Sequence, residues 1–257
     1  MKANFKYLKD NTAIGHLSVF IGVCLIFNIC NRTFAQNNSL ILNGAYVVLD
    51  GGSSATNIFL VVDQNSTSGI IRSGGGQISS EGQYNYVKWI SGANTGNFIF
   101  PFGVGGTAAD YIPFTFNKTT SGNSDISLST WTTNPQNIPH PSQSDVAPVS
   151  NMIGIPDSVK NAIDRFWDIQ SSASVTGDLT FSYRGSENTT LSPADTFKTQ
   201  HWNGTAWDPQ VGPGNKGVTI GIGTVGPIPG QTTFSPWVLT RALVSTHVSV
   251  YQNLICN

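Results

Sequence analysis

Charged residues are scarce in this sequence, and their scarcity excludes several functions. Only 11% of the 257 residues are Asp, Glu, Lys or Arg, and glutamate occurs just twice, at Glu81 and Glu187. Lys and Arg form no cluster that would attract a phosphate backbone or an anionic lipid surface. We therefore expect no nucleic-acid partner for this chain.

Long apolar runs are also lacking, apart from one near the N-terminus at residues 17–30. Three lysines precede this run, and small residues around Ala35 follow it. This order is typical of a secretory signal peptide, predicted here as residues 1–35, with Gln36 as the first mature residue. The run is shorter than the ~20 residues of a membrane-spanning helix. We expect an exported protein, secreted or at the cell surface, with no membrane span in the mature chain.

Cysteine is the third scarce residue, with three in the chain. Cys24 and Cys30 lie in the predicted signal peptide, so the mature chain retains only Cys256. No internal disulfide can then form, and an exported domain without one depends on its apolar core. Removing the signal also leaves nine basic and thirteen acidic residues, a weakly acidic balance.

Short runs that alternate apolar and polar residues make up most of the mature chain. Phe114 and Phe116 fall on one face of such a run, and Leu179 and Phe181 do so in another. Residues 218–222 alternate in the same way, with apolar side chains at every second position. Alternation with one buried face is typical of antiparallel sheets. We expect an all-β fold, an antiparallel β-sandwich with the four named side chains in its core.

The spacing of turn residues predicts how these strands are organised. The predicted segments are an N-terminal β lobe at 36–131, a Pro/Ser/Asn-rich loop or linker at 132–162, a C-terminal β lobe at 163–240 and a tail at 241–257. A single sandwich is the alternative to two lobes. Asn43 and Gly44 predict a hairpin between residues 39–42 and 45–49. Glycine punctuation from 40 to 81 leaves a short β-solenoid-like N-terminal part as the other possibility.

Seven short motifs follow one another along the mature chain. They are residues 80–85 (SEGQYN) with Val87 and Trp89, 100–103 (FPFG), 111–114 (YIPF), 164–167 (DRFW), 179–184 (LTFSYR), 201–204 (HWNG) and 234–237 (FSPW). Their order resembles an uncharacterised module of Bacteroidetes proteins that are commonly exported by the type IX secretion system. The resemblance implies a β-rich extracellular module with adhesin-like architecture, and it supplies no catalytic residues. The C-terminal sorting domain usual in such proteins is not seen, because residues 240–257 do not look like one.

No motif of the sequence indicates a catalytic centre, and we expect no enzyme activity. His140, His201 and His247 are widely separated, and neither a cysteine pair nor a nucleophile elbow is present. A serine triad would have to be assembled by folding, and nothing in the spacing points to one. Neither a metal site nor a cofactor is expected.

Carboxylates offer a weaker enzymatic hypothesis. Asp164 and Asp168 fall on one face of a predicted strand, where a pair of carboxylates could serve glycoside hydrolysis. The favoured interpretation is structural, with Asp164 or Asp168 paired to Arg165 or Arg184.

Trp202 and Trp207 are the candidate ligand-binding residues. Asn203 and Gly204 turn the chain between the two indoles, which could stack on a sugar ring. Burial is the alternative, and we expect at least one indole in the core. The sequence therefore predicts a non-catalytic extracellular structural or adhesin-like module whose partners are surface glycans or other cell-surface proteins. A carbohydrate-binding module is the second hypothesis, and a secreted glycoside hydrolase is the third.

Overall fold

Fifteen strands and three short 3₁₀ helices make up the part of the chain that a computed structural model describes, residues 39–141 and 159–242. The strands are β1 (Leu40–Ile41), β2 (Tyr46–Val48), β3 (Ile58–Val62), β4 (Ile70–Ile71), β5 (Gln77–Ser79), β6 (Asn85–Trp89), β7 (Gly96–Phe100), β8 (Phe114–Lys118), β9 (Ile126–Thr132), β10 (Ala162–Ser171), β11 (Gly177–Arg184), β12 (Thr196–His201), β13 (Val211–Lys216), β14 (Ile222–Gln231) and β15 (Pro236–Arg241). The 3₁₀ helices are Ala108–Asp110, Val159–Asn161 and Gly185–Glu187. The predicted signal peptide and Cys256 lie outside the described residues.

Two packed sheets form the β-sandwich, which confirms the predicted fold class. The larger sheet has seven strands in the order β13-β12-β15-β10-β9-β6-β3, and the smaller has four in the order β14-β11-β8-β7. Both sheets contain strands from before and after residues 132–162. The strands of the predicted N-terminal and C-terminal lobes therefore share one sandwich.

The alternating runs place their apolar residues between the two sheets. Phe114, Phe116, Leu179 and Phe181 are all fully buried, as predicted. The Phe181 ring lies 5.1 Å from that of Phe114 and 5.2 Å from that of Trp167, each in an edge-on contact. Aromatic rings from both sheets thus interlock at the centre of the core.

The N-terminal part is built differently, from parallel strand pairs. β1 pairs with β4, β2 with β5 and β3 with β6, all in parallel. The chain therefore winds through a first coil, residues 40–62, and then a second coil, residues 70–89, which confirms the solenoid-like alternative. The predicted hairpin at Asn43 and Gly44 is wrong. Gly44 has a φ of +71° and turns the chain, but its N–H donates to the carbonyl of Ser73 in the second coil.

The second coil is continuous with the sandwich, whereas the first coil is open on one side. β6 lies between β3 and β9, and the Ile78 N–H donates to the carbonyl of Pro101. In the described sheet, β3 is an edge strand. Several large apolar side chains of the first coil are exposed, namely Ile41, Tyr46, Val48, Phe59 and Val61. The first coil is consequently the least covered part of the described fold.

One predicted strand is a turn. Ile220 was expected on a buried face, yet its side chain is 88% exposed. Gly221 has a φ of +70°, so the chain reverses here and β14 begins only at Ile222. The edge strands on either side of this turn contain Pro213, Pro227 and Pro229, which cannot donate to a neighbouring strand. In the described part of the chain, no helix is long and apolar enough to cross a membrane.

Candidate functional site

The two candidate indoles lie on the outer face of the larger sheet. Trp202 and Trp207 face each other across a β-bridge, with ring centroids 5.5 Å apart in an edge-on contact. Trp202 is 1% exposed and Trp207 is 8% exposed. They form an outer apolar cluster together with Trp131, Ala162, Phe166 and Val238. The expectation that at least one indole is buried is confirmed.

A tight turn builds this hairpin, as the Asn-Gly pair predicts. The Asn203 N–H donates to the carbonyl of Ala206 at 3.0 Å, and Gly204 has a φ of +100°. The Asn203 side-chain oxygen accepts hydrogen bonds from the N–H groups of Thr205 and Ala206 at 3.0 and 2.9 Å. The turn closes the indoles onto Phe166, so neither ring is flat to solvent. Sugar stacking by this pair stays a prediction.

Beside the hairpin lies a surface pocket of about 460 Å³, which we call the hairpin pocket. Its lining residues are His201, Trp202, Asn203, Gly204, Asp208, Thr233, Phe234 and Ser235. Ser235 Oγ lies 2.7 Å from His201 Nε2, and His201 Nδ1 lies 2.9 Å from Asp208 Oδ2. Asn203 donates to the other Asp208 oxygen at 2.7 Å. The fold therefore brings a serine, a histidine and an aspartate into one hydrogen-bonded row.

The surroundings of His201 favour its neutral form. Burial lowers the pKa of the imidazole, and the nearby Asp208 carboxylate opposes this effect. The ring packs against Trp237 with centroids 4.7 Å apart, because His201 on β12 stands opposite Trp237 on β15. Strand pairing thus fixes the imidazole at the end of the sandwich, beside Ser235.

Part of this row could have been predicted from the sequence. The Asn-Gly turn pairs Trp202 with Trp207, and this pairing necessarily places His201 opposite Asp208. The Asp208 N–H donates to the carbonyl of His201 at 2.7 Å. Ser235 could not have been found in this way, because it arrives through the pairing of β12 with β15.

A second pocket, of about 320 Å³, lies elsewhere on the larger sheet, and we call it the Tyr86 pocket. Its lining residues are Ser54, Asn57, Gln83, Tyr84, Tyr86, Asp168 and Gln170. The Tyr86 hydroxyl donates to Asp168 Oδ2 at 2.6 Å, and the Gln170 amide donates to the same oxygen at 3.2 Å. Phe59, 43% exposed, stacks on the Tyr86 ring at 5.4 Å. The pocket therefore combines polar side chains with aromatic rings.

Asp168 is the unusual group of the Tyr86 pocket. Its side chain is buried, and its Oδ1 atom has no hydrogen-bond partner among the described residues. Burial raises the pKa of this carboxyl, although the hydrogen bonds from Tyr86 and Gln170 act against the rise. Burial, followed by the Asp168 charge, also raises the pKa of the Tyr86 phenol. A buried acceptor without a donor is costly, so a donor supplied by a ligand would stabilise it.

The favoured pairing of Asp164 or Asp168 with Arg165 or Arg184 is wrong. Arg165 is fully buried and binds both glutamates of the chain, with Glu187 Oε1 at 2.7 Å and Glu81 Oε1 at 2.9 Å. Arg184 also binds Glu187, at 3.0 Å. The reason is the alternation of β10, because Arg165 points into the sandwich whereas both aspartates point out of it.

Asp164 is a second buried carboxyl on the outer face of β10. Burial raises its pKa to about 7; the hydrogen bond from Thr189 acts against this rise, and the Glu187 charge adds to it. Thr189 Oγ1 donates to Asp164 Oδ2 at 2.9 Å. Among the described residues, no group of three His, Cys, Asp or Glu side chains is placed to hold a metal ion. No protein-family model, no curated protein and no solved structure matches this chain.

Proposed function

We propose that the mature chain is an exported, adhesin-like binding module that holds a neutral carbohydrate in the Tyr86 pocket. The observation that carries the proposal is the buried Asp168 carboxylate, whose Oδ1 atom lacks a donor within the described part of the chain. Asp168 is one of the residues that line a pocket of about 320 Å³. This oxygen is closed to solvent in the structure, so a ligand with several hydroxyl groups would supply the missing donor to Oδ1 by displacing part of the pocket wall.

The other groups of the pocket match the chemistry of a sugar. A carboxylate accepts hydrogen bonds from hydroxyl groups, and an amide side chain can both accept from them and donate to them. The Gln170 side chain is exposed, and its amide already lies 2.9 Å from the Tyr86 hydroxyl. The exposed ring of Phe59 beside Tyr86 offers an apolar surface for the C–H face of a sugar ring. Small pockets with a few convergent polar groups are typical of ligand sites.

The charge pattern supports a neutral ligand. Among the residues that the structure describes, Asp168 is the only charged side chain that lines the Tyr86 pocket. No cationic side chain of the described residues lines the pocket, so a strongly anionic ligand would find no partner of opposite charge, and a cationic one would find a single carboxyl group. The predicted export signal and the scarcity of charge on the mature chain agree with a role outside the cell.

Glycan-array binding of the mature chain, followed by calorimetric titration of the best ligand, tests this proposal. We expect Asp168→Asn to weaken binding by about 10- to 100-fold, since a hydrogen bond to a charged group contributes ~1.5–3 kcal/mol. Gln170→Ala should weaken binding with little change in stability, because this side chain is exposed.

Gln136→Ala is the matched control, an exposed glutamine that is not among the lining residues of the Tyr86 pocket, and should bind like the unchanged chain. A folded chain that binds no glycan on the array, or equal affinities for Gln170→Ala and Gln136→Ala, would contradict the proposal.

A further inference from the structure

The hairpin pocket holds an arrangement that the proposed binding function does not use. Ser235 Oγ, the His201 ring and the Asp208 carboxylate form a continuous row, with distances of 2.7 and 2.9 Å. The hydrogen bond from Asn203 at 2.7 Å fixes the second Asp208 oxygen. These are the distances at which a hydroxyl, a base and an orienting group act together as a nucleophile.

The row fixes the tautomer of His201. An ionised carboxylate only accepts hydrogen bonds, so the proton of the neutral imidazole lies on Nδ1, facing Asp208. The lone pair of Nε2 then faces Ser235 Oγ. This is the tautomer that a general base requires, and Asp208 stabilises the imidazolium that forms when the serine proton is taken.

The resting serine has a second acceptor. Its hydroxyl also contacts the carbonyl oxygen of Trp202. A single proton therefore has two neighbouring acceptors, Nε2 and this carbonyl. Competition from the carbonyl would slow activation without blocking it, so a reactive electrophile is the appropriate probe.

The pocket leaves room for a substrate beside the row. It has a volume of about 460 Å³, Ser235 is half-buried at its wall, and Phe234 and Gly204 contribute further surface. We propose that Ser235 is a nucleophile that accepts acyl groups, with His201 as its general base and Asp208 as the orienting carboxylate, and that the pocket takes small acyl esters.

Each step of this transfer balances. Ser235 Oγ attacks the ester carbonyl carbon while its proton moves to His201 Nε2. The bond from the carbonyl carbon to the leaving oxygen breaks, and the alcohol departs with that proton. Water then attacks the acyl–Ser235 ester, giving a proton to Nε2, and the carboxylic acid leaves as this proton returns to Oγ. The protein is unchanged at the end, and water is the only co-reactant.

This inference is independent of the proposed glycan site. Within the described part of the chain, the two pockets share no lining residue. Loss of glycan binding in Asp168→Asn would leave the serine chemistry untouched, and an unreactive Ser235 would leave glycan binding untouched. A negative result in either test therefore leaves the other proposal unaffected.

Labelling of the mature chain with a fluorophosphonate probe, followed by peptide mass spectrometry, tests the inference. We expect one adduct per chain, located on Ser235 and absent from Ser235→Ala. His201→Gln should be labelled at least about 100-fold more slowly, because general-base catalysis contributes 10²–10⁴-fold. The rate should rise with pH through the titration of His201 and then level off, since only the neutral imidazole is a base. Ser68→Ala, an exposed serine that is not among the lining residues of the hairpin pocket, is the control and should be labelled at the same rate as the unchanged chain.

If the row of Ser235, His201 and Asp208 has only a structural role, we expect different results. In that case Ser235→Ala lowers the thermal midpoint, but the folded chain is not labelled, and the inference is overturned. Labelling that persists in Ser235→Ala, or that has no pH dependence, overturns it as well. If His201→Gln does not fold, the presence or absence of the Ser235 adduct in the unchanged chain and the pH profile decide the question.

Discussion

At the scale of single residues, buried ion pairs and hydrogen bonds hold several of the few charged side chains of this chain. Arg165 is fully buried, and its guanidinium binds Glu81, Glu187 and two threonine hydroxyls. Breaking a buried pair on one side leaves an uncompensated charge, at a cost of ~3–5 kcal/mol. Neither glutamate is therefore free for other chemistry, although they are the only two in the sequence.

The buried carboxyls predict opposite responses to pH. Burial raises the pKa of Glu187, but Arg165 and Arg184 outweigh it and hold the pKa below the usual value. The stability that Glu187 contributes is thus present at neutral pH and lost in acid, as the pH falls through the lowered pKa of this carboxyl. For Asp164, burial raises the pKa to about 7, so the folded state keeps a proton that the unfolded state has lost. Its contribution therefore falls as the pH rises from about 4 to 7.

Urea unfolding at pH 3, 4, 6 and 8 tests these signs. We expect Asp164→Asn to become more stable relative to the unchanged chain as the pH rises, with the gain complete slightly above pH 7. Glu187→Gln should lose ~3–5 kcal/mol at pH 7 and less in acid. A stability difference between Asp164→Asn and the unchanged chain that does not vary with pH would contradict the assignment of Asp164.

At the scale of elements, close backbone contact holds the two coils together. A Cβ added to Gly76 would lie 1.7 Å from the carbonyl oxygen of Leu42 in the first coil, so backbone would have to move. We expect Gly76→Ala to destabilise the chain by at least the ~1–3 kcal/mol typical of overpacking. Gly106→Ala is the control, because its Cβ would have no atom within 4 Å. Equal unfolding midpoints for the two variants would mean that the coils do not pack in this way.

The hairpin of Trp202 and Trp207 makes a prediction of its own. Both indoles are buried in the outer apolar cluster, so Trp202→Ala should cost ~3–5 kcal/mol. Trp207→Ala should cost less, because this indole is 8% exposed and Trp202 is 1% exposed. Acrylamide quenching and chemical unfolding of both variants measure these effects. Freely quenched indoles together with unchanged midpoints would instead support a sugar platform at the hairpin.

Local pattern predicts some elements of this fold and misses others. The alternation at Phe114 and Phe116 identifies buried faces, because side chains on a strand point to opposite sides in turn. The Asn-Gly pair at 203–204 forms a hairpin, whereas the pair at Asn43 and Gly44 forms a corner of a coil. A turn signal states that the chain reverses, but not which strand becomes the partner. That choice depends on the second coil, about 30 residues later in the chain, which stacks on the first.

The same limit explains what was missed in the pockets. Sequence spacing places His201 opposite Asp208 once the hairpin is accepted. Ser235 and the Tyr86–Asp168 contact arise from pairing between strands that are distant in sequence. Contacts of this kind depend on sheet order, which neither composition nor periodicity encodes.

At the scale of the whole molecule, the described parts of the fold differ in how much of their apolar surface is buried. The sandwich core is closed by two sheets, and edge strands β13 and β14 carry prolines that prevent further pairing. The first coil is neither enclosed between two sheets nor bordered by a strand that contains proline. Its edge strand β3 contains five apolar residues and no charge or proline, and alternate side chains of β3 are exposed.

Because the first coil is less buried than the sandwich core, we expect its local stability to be lower. Regions with few buried apolar contacts open locally at a lower free energy than the core does. In the first coil Leu42 and Val62 are buried, but Leu40, Val47 and Leu60 are only half-buried, whereas Phe181 in the sandwich is fully buried. We therefore expect amide hydrogens of β1 and β2 to exchange with solvent through local opening, well before those of β8 and β11, which exchange only on global unfolding.

Native-state hydrogen exchange followed by mass spectrometry or NMR measures this order. Low concentrations of denaturant should leave the exchange of β1 and β2 almost unchanged and accelerate that of β11, because only global unfolding exposes much new surface. β5 and β6 of the second coil should be intermediate, since they pair with the first coil on one side and with the sandwich region on the other. If β1 and β11 show the same protection and the same denaturant dependence, the coils and the sandwich unfold as one unit, and the first coil is as stable as the core.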